Sequence, residues 1–299
     1  MNINHLAIFH AVLQEGSVSL GAERLHISQP AVSKQLKEFE ESLNTKLFDR
    51  HPKGVRPTEA GELLGGYARR LFALEAEAEL ALAEMQGLQR GRLVIGASLT
   101  IGNYLLPEIL SRFHVRYPGV EVNVEIGNTE VIQGKLIDGA LDLGFTEGYV
   151  EIAELDAAVF GEDELVPIAA PEHSIFATRP VTLEALCRED FVLREQGSGT
   201  REVMERALAA RGFTLRSVMT FGDIEACKRA VAAGIGIGIV SAHTIAMELA
   251  LGKVERIEVA DFAIRRPLHL LTLRGKYQTR AARALLALLR QPIHGVAPG

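Results

Sequence analysis

Six side chains in three separate stretches of this 299-residue sequence share one chemistry: each can donate hydrogen bonds to an anion. They are Ser98 and Thr100 in GASLTIGNYLLP (96–107), Thr146 in GFTEG (144–148), and Ser198, Thr200 and Arg201 in REQGSGTRE (194–202). The first and third stretches read as a strand leading into a helix start, and Thr146 follows directly on a strand. Free N–H groups at a helix N-terminus, hydroxyls and one guanidinium are the parts of a site for a small oxyanion or carboxylate. Taken alone, REQGSGTRE fits equally well a capped surface helix whose arginine pairs with a nearby acid. In open α/β sheets, however, ligands sit outside the carboxyl ends of strands, where all three stretches would converge. The joint occurrence therefore favours a pocket for a small anion.

Other chemistries lack an anchor. REQGSGTRE does not end in Lys-Ser/Thr, so it is no phosphate loop for ATP hydrolysis. GIGIGIV (234–240) alternates glycines like a dinucleotide fingerprint, but here the glycines follow a helix and enter a strand, the reverse of the required order. It reads as a tightly packed buried strand. The nine histidines are scattered, with no pair at i, i+4 on one face and no Ser/His/Asp set. Asp142 and Glu147 have no spacing that makes them an acid pair. No enzymatic function, metal or resident cofactor is expected. Cys187 and Cys227 each stand alone in helix-like contexts, which fits packing roles in a reducing cytoplasm.

The elements that must carry the anion site are strands alternating with helices over residues 90–299: RLVIGAS, VEVNVEIG, LDLGFTEG, DFVLREQG and RPLHLLTL, with helical patterns at 103–116, 129–138, 201–211 and 223–233. That is α/β with largely parallel sheets. A continuous run through VFGEDELVPIAA and a return near AIRRPLHLL predict that the chain crosses once to a second lobe and comes back. Lobe I is expected at about 91–161 and 266–299, lobe II at about 162–265. The last residues, HGVAPG, read as a frayed tail.

The first 57 residues are built differently. They carry seven Lys and Arg against six acids, so this head is nearly neutral while the rest of the chain is acidic; the whole is −6. A short helix stops at Gly16, and a second is capped by Ser17 or Ser19. A third starts at Ser28-Gln29-Pro30, with Ser28 able to accept from free N–H groups. In it Val32, Leu36, Phe39 and Leu43 form a buried stripe, while Gln29, Ser33, Lys34 and Lys37 lie opposite. Leu47-Phe48 and Val55 flank a Pro52-Lys53-Gly54 turn, a two-stranded ribbon straddled by Arg50 and Arg56. Three helices and a basic hairpin describe a winged helix-turn-helix at 1–57. A helix then runs over 58–89, capped by Thr58. Its residues Ala60, Leu64, Tyr67, Leu71, Leu74, Ala78, Ala81, Met85 and Leu88 step by fours and threes, which reads as a coiled-coil seam joining two subunits. No apolar run is long enough to span a membrane, and the N-terminus shows no export signal.

Residues 9–61 closely resemble the DNA-binding head of LysR-type transcriptional regulators: Phe9, GSVS, AERL, SQPAVS, LFDR and TEAG all stand in the family's order and spacing. The resemblance runs on through the linker helix into a two-lobed effector domain like the type 2 periplasmic-binding-protein fold. Gly21 departs from the family, which more often has alanine there; this loosens the second helix by about 1 kcal/mol at most.

The resemblance implies that the third helix enters the major groove of double-stranded DNA. Gln29 then reads adenine, Pro30 touches a thymine methyl, and Ser28, Ser33 and Lys34 reach bases or phosphates. Arg50, Lys53 and Arg56 on the wing contact phosphates or the minor groove. It further implies dimers through the linker helix, commonly paired into tetramers, a cytoplasmic location, RNA polymerase as a further partner to consider, and a metabolite bound between the lobes near Ser98, Thr100, Thr146, Ser198, Thr200 and Arg201. LREQGSGTR looks like the branch that includes sulfur-assimilation and carbon-fixation regulators. The expected effector is therefore an inorganic oxyanion or a small phosphorylated or carboxylated metabolite.

Overall fold

The computed structural model describes residues 2–51, 54–85, 91–260 and 262–289. The expected frayed tail and Leu88 lie outside them. The chain divides into two compact units, one centred on Met1–Leu82 and the other on Ala83–Ile137 with Leu141–Gly299.

The first unit begins with α1 (Ile3–Glu15), α2 (Val18–Arg24) and α3 (Gln29–Leu43). Helix α1 starts where Asn2 accepts from the Asn4 N–H and stops at Gly16, whose φ of 61° is the left-handed conformation that suits glycine. Ser17, not Ser19, caps α2. The core is one cluster containing Leu6, Phe9, Val12, Val32, Leu36, Phe39, Leu47 and Phe48. Gly21 belongs to this packing: a β-carbon there would stand 2.9 Å from Cγ2 and 3.1 Å from Cα of Val12. What looks from sequence like a loosened helix is thus a close approach of α2 to α1.

The hairpin follows as β1 (Phe48–His51) and β2 (Gly54–Pro57), antiparallel, with Asp49 opposite Arg56. It docks on the α1–α2 turn, where the Val55 N–H donates to the Gly16 carbonyl at 2.9 Å. The long helix α4 (Glu59–Met85) is capped by Thr58, whose hydroxyl accepts from the Gly61 N–H at 3.1 Å. Its expected seam divides between two faces. Ala60, Leu64 and Leu71 of the seam pack on the head core, together with Ala68 from outside it. Tyr67 and Leu74 of the seam are left more than half exposed, as are Leu63 and Leu82, which the seam did not include. The head supplies a packing face for the first turns, so only part of the 3.5-residue repeat remains free for a second subunit.

The second unit contains β3 (Gly91–Ser98), a turn of π-helix at Ile101–Leu105 running into α5 (Leu106–Arg116), then β4 (Val120–Gly127), α6 (Thr129–Ile137) and β5 (Leu143–Glu147). Strand β6 (Leu155–Ala169) carries the chain across to α7 (Leu183–Cys187), β7 (Asp190–Arg194), α8 (Gly199–Ala209), β8 (Arg216–Phe221), α9 (Ile224–Ala232), β9 (Gly238–Ser241), α10 (Ala246–Ala250) and β10 (Glu255–Arg256). Strand β11 (Ile264–Leu273) returns, and α11 (Arg280–Leu289) ends the described chain.

Strands β3–β4, β3–β5 and β7–β8 pair in parallel. The sheet is nonetheless mixed rather than largely parallel, because β11 runs antiparallel to both β5 and β6, and β9 antiparallel to β6. The two crossing strands cause this: they run in opposite directions through both lobes, and their pairing slips at Leu268/His269. One core gathers Leu93, Ile95, Phe113, Phe145 and Leu268; another gathers Phe191, Leu193, Met204, Ile237 and Ile264. These are the cores of two lobes joined by β6 and β11.

Candidate nucleic-acid interface and ligand cleft

The head's third helix presents the face that its sequence suggests. Val32, Leu36 and Phe39 are buried, while Ser28, Gln29, Pro30, Ser33 and Lys34 are all exposed at its start and along one side. Ser28 occupies the N-cap position, yet its side chain makes no capping hydrogen bond. The hydroxyl expected to satisfy the helix is therefore free to face outward. A groove between α3 and the hairpin is lined by Ser33, Lys34, Lys37 and Lys46 among others. Lys34 and Lys37 lie 3.8 and 3.6 Å from Glu38 and Glu41, long exposed pairs that hold the ammonium groups only weakly. Arg56 is exposed on β2. Arg50 is placed in β1 opposite Val55; its side chain and the whole of Lys53 lie outside the described residues.

Sequence reasoning missed the residue that ties helix to wing. Glu40 is buried, and its carboxylate accepts from the Leu47 N–H at 2.8 Å, the Phe48 N–H at 3.3 Å and Lys46 Nζ at 2.8 Å. Burial alone would raise this carboxyl; the Lys46 ammonium and the two backbone donors outweigh it and hold the group below the ordinary glutamate value. A glutamate among Glu38, Glu40 and Glu41 gives no sequence signal of this role beyond its place next to Phe39 on the inner face.

In the second unit, the carboxyl end of β5 meets the start of α8 from the other lobe. Gly199 makes the approach possible, because a β-carbon there would collide with the Glu147 carbonyl. Thr129, at the start of α6, donates to that same carbonyl at 3.3 Å. Of the six expected ligand residues, Thr200 meets the crossing strand β11 through Arg266, Ser98 and Thr146 lie at the ends of β3 and β5, and Thr100 follows β3. Ser98, Thr100, Thr146 and Thr200 are each no more than 1% exposed. Thr200 Oγ1 accepts from Arg266 Nη1 at 2.9 Å, and Ser98 Oγ donates to Glu147 Oε2. Thr100 Oγ1 and Thr146 Oγ1 are buried without a hydrogen-bond partner among the described residues. A buried hydroxyl left unpaired costs about 1 to 3 kcal/mol, which a bound group or water would recover.

The guanidinium in this cluster is not the expected one. Arg201 Nε pairs with Glu205 at 2.8 Å, and its Nη1 donates to the Arg194 carbonyl at 3.0 Å. With Ser198 it lines an adjoining cavity of about 370 Å³ that also shows Glu130, Glu202 and Glu205. An i, i+4 acid is always within reach of a helical arginine, and here that pairing takes it. Arg266 of β11, wholly buried, is the cation that reaches a hydroxyl of this set, that of Thr200. Its Nε donates to Asp163 Oδ2 at 2.8 Å, its Nη2 stands 2.7 Å from the same oxygen without hydrogen-bond alignment, and its Nη1 is 3.4 Å from Glu147 Oε1. The buried Glu147 carboxylate therefore stands among the donors of the cluster. Sequence could not place Arg266, since it sits in RRPL, far along the chain, and only the crossing of β11 past β6 brings it to Asp163.

Of the cysteines, Cys227 is buried and burial pushes its thiol up to about 11, while burial also raises Cys187; neither is an ionised nucleophile at neutral pH.

A winged helix-turn-helix with a long helix after it, followed by a two-lobed domain whose strand ends enclose a polar cluster, defines a DNA-binding sensor of small molecules. The family model described as a bacterial regulatory helix-turn-helix protein, lysR family, matches residues 3–62, and the LysR substrate binding domain matches residues 86–292. The RuBisCO operon transcriptional regulator of Allochromatium vinosum is 36% identical over 95% of this chain and 94% of its own length. The regulatory domain of Synechocystis CcmR, solved in complex with 2-PG, is 30% identical, covers 67% of this chain and 96% of its own, and superposes with a TM-score of 0.63. Full-length OxyR from Pseudomonas aeruginosa shares the fold at 23% identity over 97% of this chain and 95% of its own, with a TM-score of 0.73. The chain belongs to the LysR family. It is a DNA-binding transcriptional regulator with an effector-binding domain, not an enzyme. Among the described residues, no helix is long and apolar enough to cross a membrane.

Proposed function

We propose that this regulator binds DNA in the cytoplasm as a dimer, joined through the exposed stripe of α4, and that a small anion held between its lobes resets its grip on DNA. Pairing of dimers into tetramers and contact with RNA polymerase extend the same reading. The observation that carries the ligand class is the pair of buried, unpartnered hydroxyls of Thr100, just beyond β3, and Thr146, near the end of β5, the strand ends that also carry Ser98 and Glu147. Donors outnumber bonded acceptors at these two threonines, which is what an oxyanion with several lone pairs completes. Ser198 and Arg201 belong to the rim of the cleft in this reading, and the first-rank contacts are Ser98, Thr100, Thr146, Thr200 and Arg266. That a relative from the same family was solved with 2-PG, and that others are named regulators of the RuBisCO operon, supports a small acidic metabolite.

The test is calorimetric titration of sulfate, phosphate, small carboxylic acids and 2-PG into the full chain. At least one is expected to bind, and Thr100→Val or Thr146→Val should weaken it by about ten- to hundredfold, the value of a hydrogen bond to a charged group. Equal binding by wild type and both valine variants overturns the assignment of the cleft.

A further inference from the structure

Glu147 is the buried group that an anion site neither uses nor tolerates. Its side chain is 4% exposed, Oε2 accepts from Ser98, and Oε1 stands 3.4 Å from Arg266 Nη1. It therefore holds the two donors that an entering anion would want.

The two acids on Arg266 are held unequally. Asp163 is fully buried, takes the 2.8 Å bond from Nε and the 2.7 Å approach of Nη2, and its other oxygen accepts from Ser241 Oγ at 2.8 Å. His243 Nε2 lies 3.9 Å from Asp163 as well. Glu147 has only the longer ion pair, with no hydrogen bond from the guanidinium, and one serine hydroxyl. Asp163 is thus the fixed partner of Arg266 and Glu147 the replaceable one. Two acidic side chains already face one guanidinium, and a further negative charge placed among them is opposed by like-charge repulsion at low dielectric.

We propose that Glu147 is a built-in competitor of the anionic effector: its carboxylate occupies the Ser98–Arg266 position, and an anion binds only as that carboxylate gives way. This rests on the anion reading of the cleft and adds to it a selection rule. The favoured ligand carries a doubly charged head, a phosphate or sulfate group, which can out-compete one carboxylate for Ser98 and Arg266. The same displacement acts on the lobe contact, because the Glu147 carbonyl is the group against which Gly199 is pressed and to which Thr129 donates. Moving this residue loosens or resets the junction between β5 and α8.

Titrating phosphate, sulfate and 2-PG into full-length wild type and Glu147→Gln tests the idea. The amide keeps the shape and still accepts from Ser98 but removes the charge, so Glu147→Gln should bind these anions about tenfold or more tightly. Glu147→Asp, which withdraws the charge by one methylene, should fall between the two. If Glu147→Gln does not fold, as judged by its thermal transition, Glu147→Asp carries the test and must bind more tightly than wild type. Thr146→Val separates the outcomes: if it weakens binding while Glu147→Gln binds no better than wild type, the competitor is refuted and the site stands. If no anion binds any of these proteins, the anion reading fails and this inference falls with it.

Discussion

Leu71 and Leu74 stand three residues apart on α4 and serve opposite purposes: Leu71 packs into the head core beside Ala68 and Phe72, whereas Leu74 is 63% exposed. With Leu63, Tyr67 and Leu82 it forms an apolar stripe that one subunit leaves uncovered. Leu74→Glu combined with Leu82→Glu should set like charges against each other across a dimer and lower the mass seen by light scattering, with the head still folded. Leu71→Glu should instead destabilise the head by about 2 to 4 kcal/mol, read as an earlier denaturant transition. An unchanged mass in the double variant would place the subunit contact elsewhere.

This division of the seam shows where sequence reading ends. The helix, its cap and its repeat follow from local spacing and were legible. Which of two apolar faces meets the head depends on how the head folds back, and no local pattern encodes that. The ligand cleft behaves in the same way. That Ser98, Thr100, Thr146 and Thr200 stand at strand ends and helix starts was legible from local pattern, although Ser98 and Thr146 lie within the last residues of β3 and β5, and Thr146 does not follow its strand as expected. Arg266, Asp163 and Glu147 were not, since their meeting depends on two crossing strands whose register slips at Leu268/His269.

The Arg266–Asp163 pair makes a stability prediction. Both groups are wholly buried, so removing Asp163 strips Arg266 of its hydrogen-bonded partner and leaves it only the longer 3.4 Å pair with Glu147. Asp163→Ala should cost the second unit about 3 to 5 kcal/mol. Thr200→Val, which deprives Arg266 Nη1 of its 2.9 Å acceptor, should cost about 1 to 3 kcal/mol. Guanidinium denaturation of the full chain, followed through the effector-domain transition, measures both. A loss under 1 kcal/mol for Asp163→Ala would mean that water enters the cluster freely.

The head should soften in acid, and Glu40 sets the lower window. Its folded pKa is depressed, so its contribution is fully present above the ordinary glutamate value of about 4.3 and is lost as pH falls through the lower folded value. His10 acts earlier: burial first, then Arg24 and Arg69, depress it, so stability begins to fall below the ordinary histidine value of about 6.5. Glu40→Gln should lower the melting temperature at pH 7 and flatten the curve in the carboxylate window while leaving the histidine step. An unflattened curve would show that Glu40 does not hold the wing through its charge.

DNA reading itself is tested by selecting bound duplexes from a random pool with wild type, Gln29→Ala and Arg56→Ala. Gln29 is exposed at the start of α3, where a bidentate contact to adenine is worth about 1 to 3 kcal/mol of discrimination. Wild type should enrich a two-fold symmetric pattern, reflecting two heads, and Gln29→Ala should lose preference at one position in each half while keeping the rest. Arg56→Ala should enrich the same pattern with weaker binding throughout and a shallower salt dependence. Identical patterns from wild type and Gln29→Ala, or no enrichment by wild type, would contradict the assignment of α3 as the element that reads sequence.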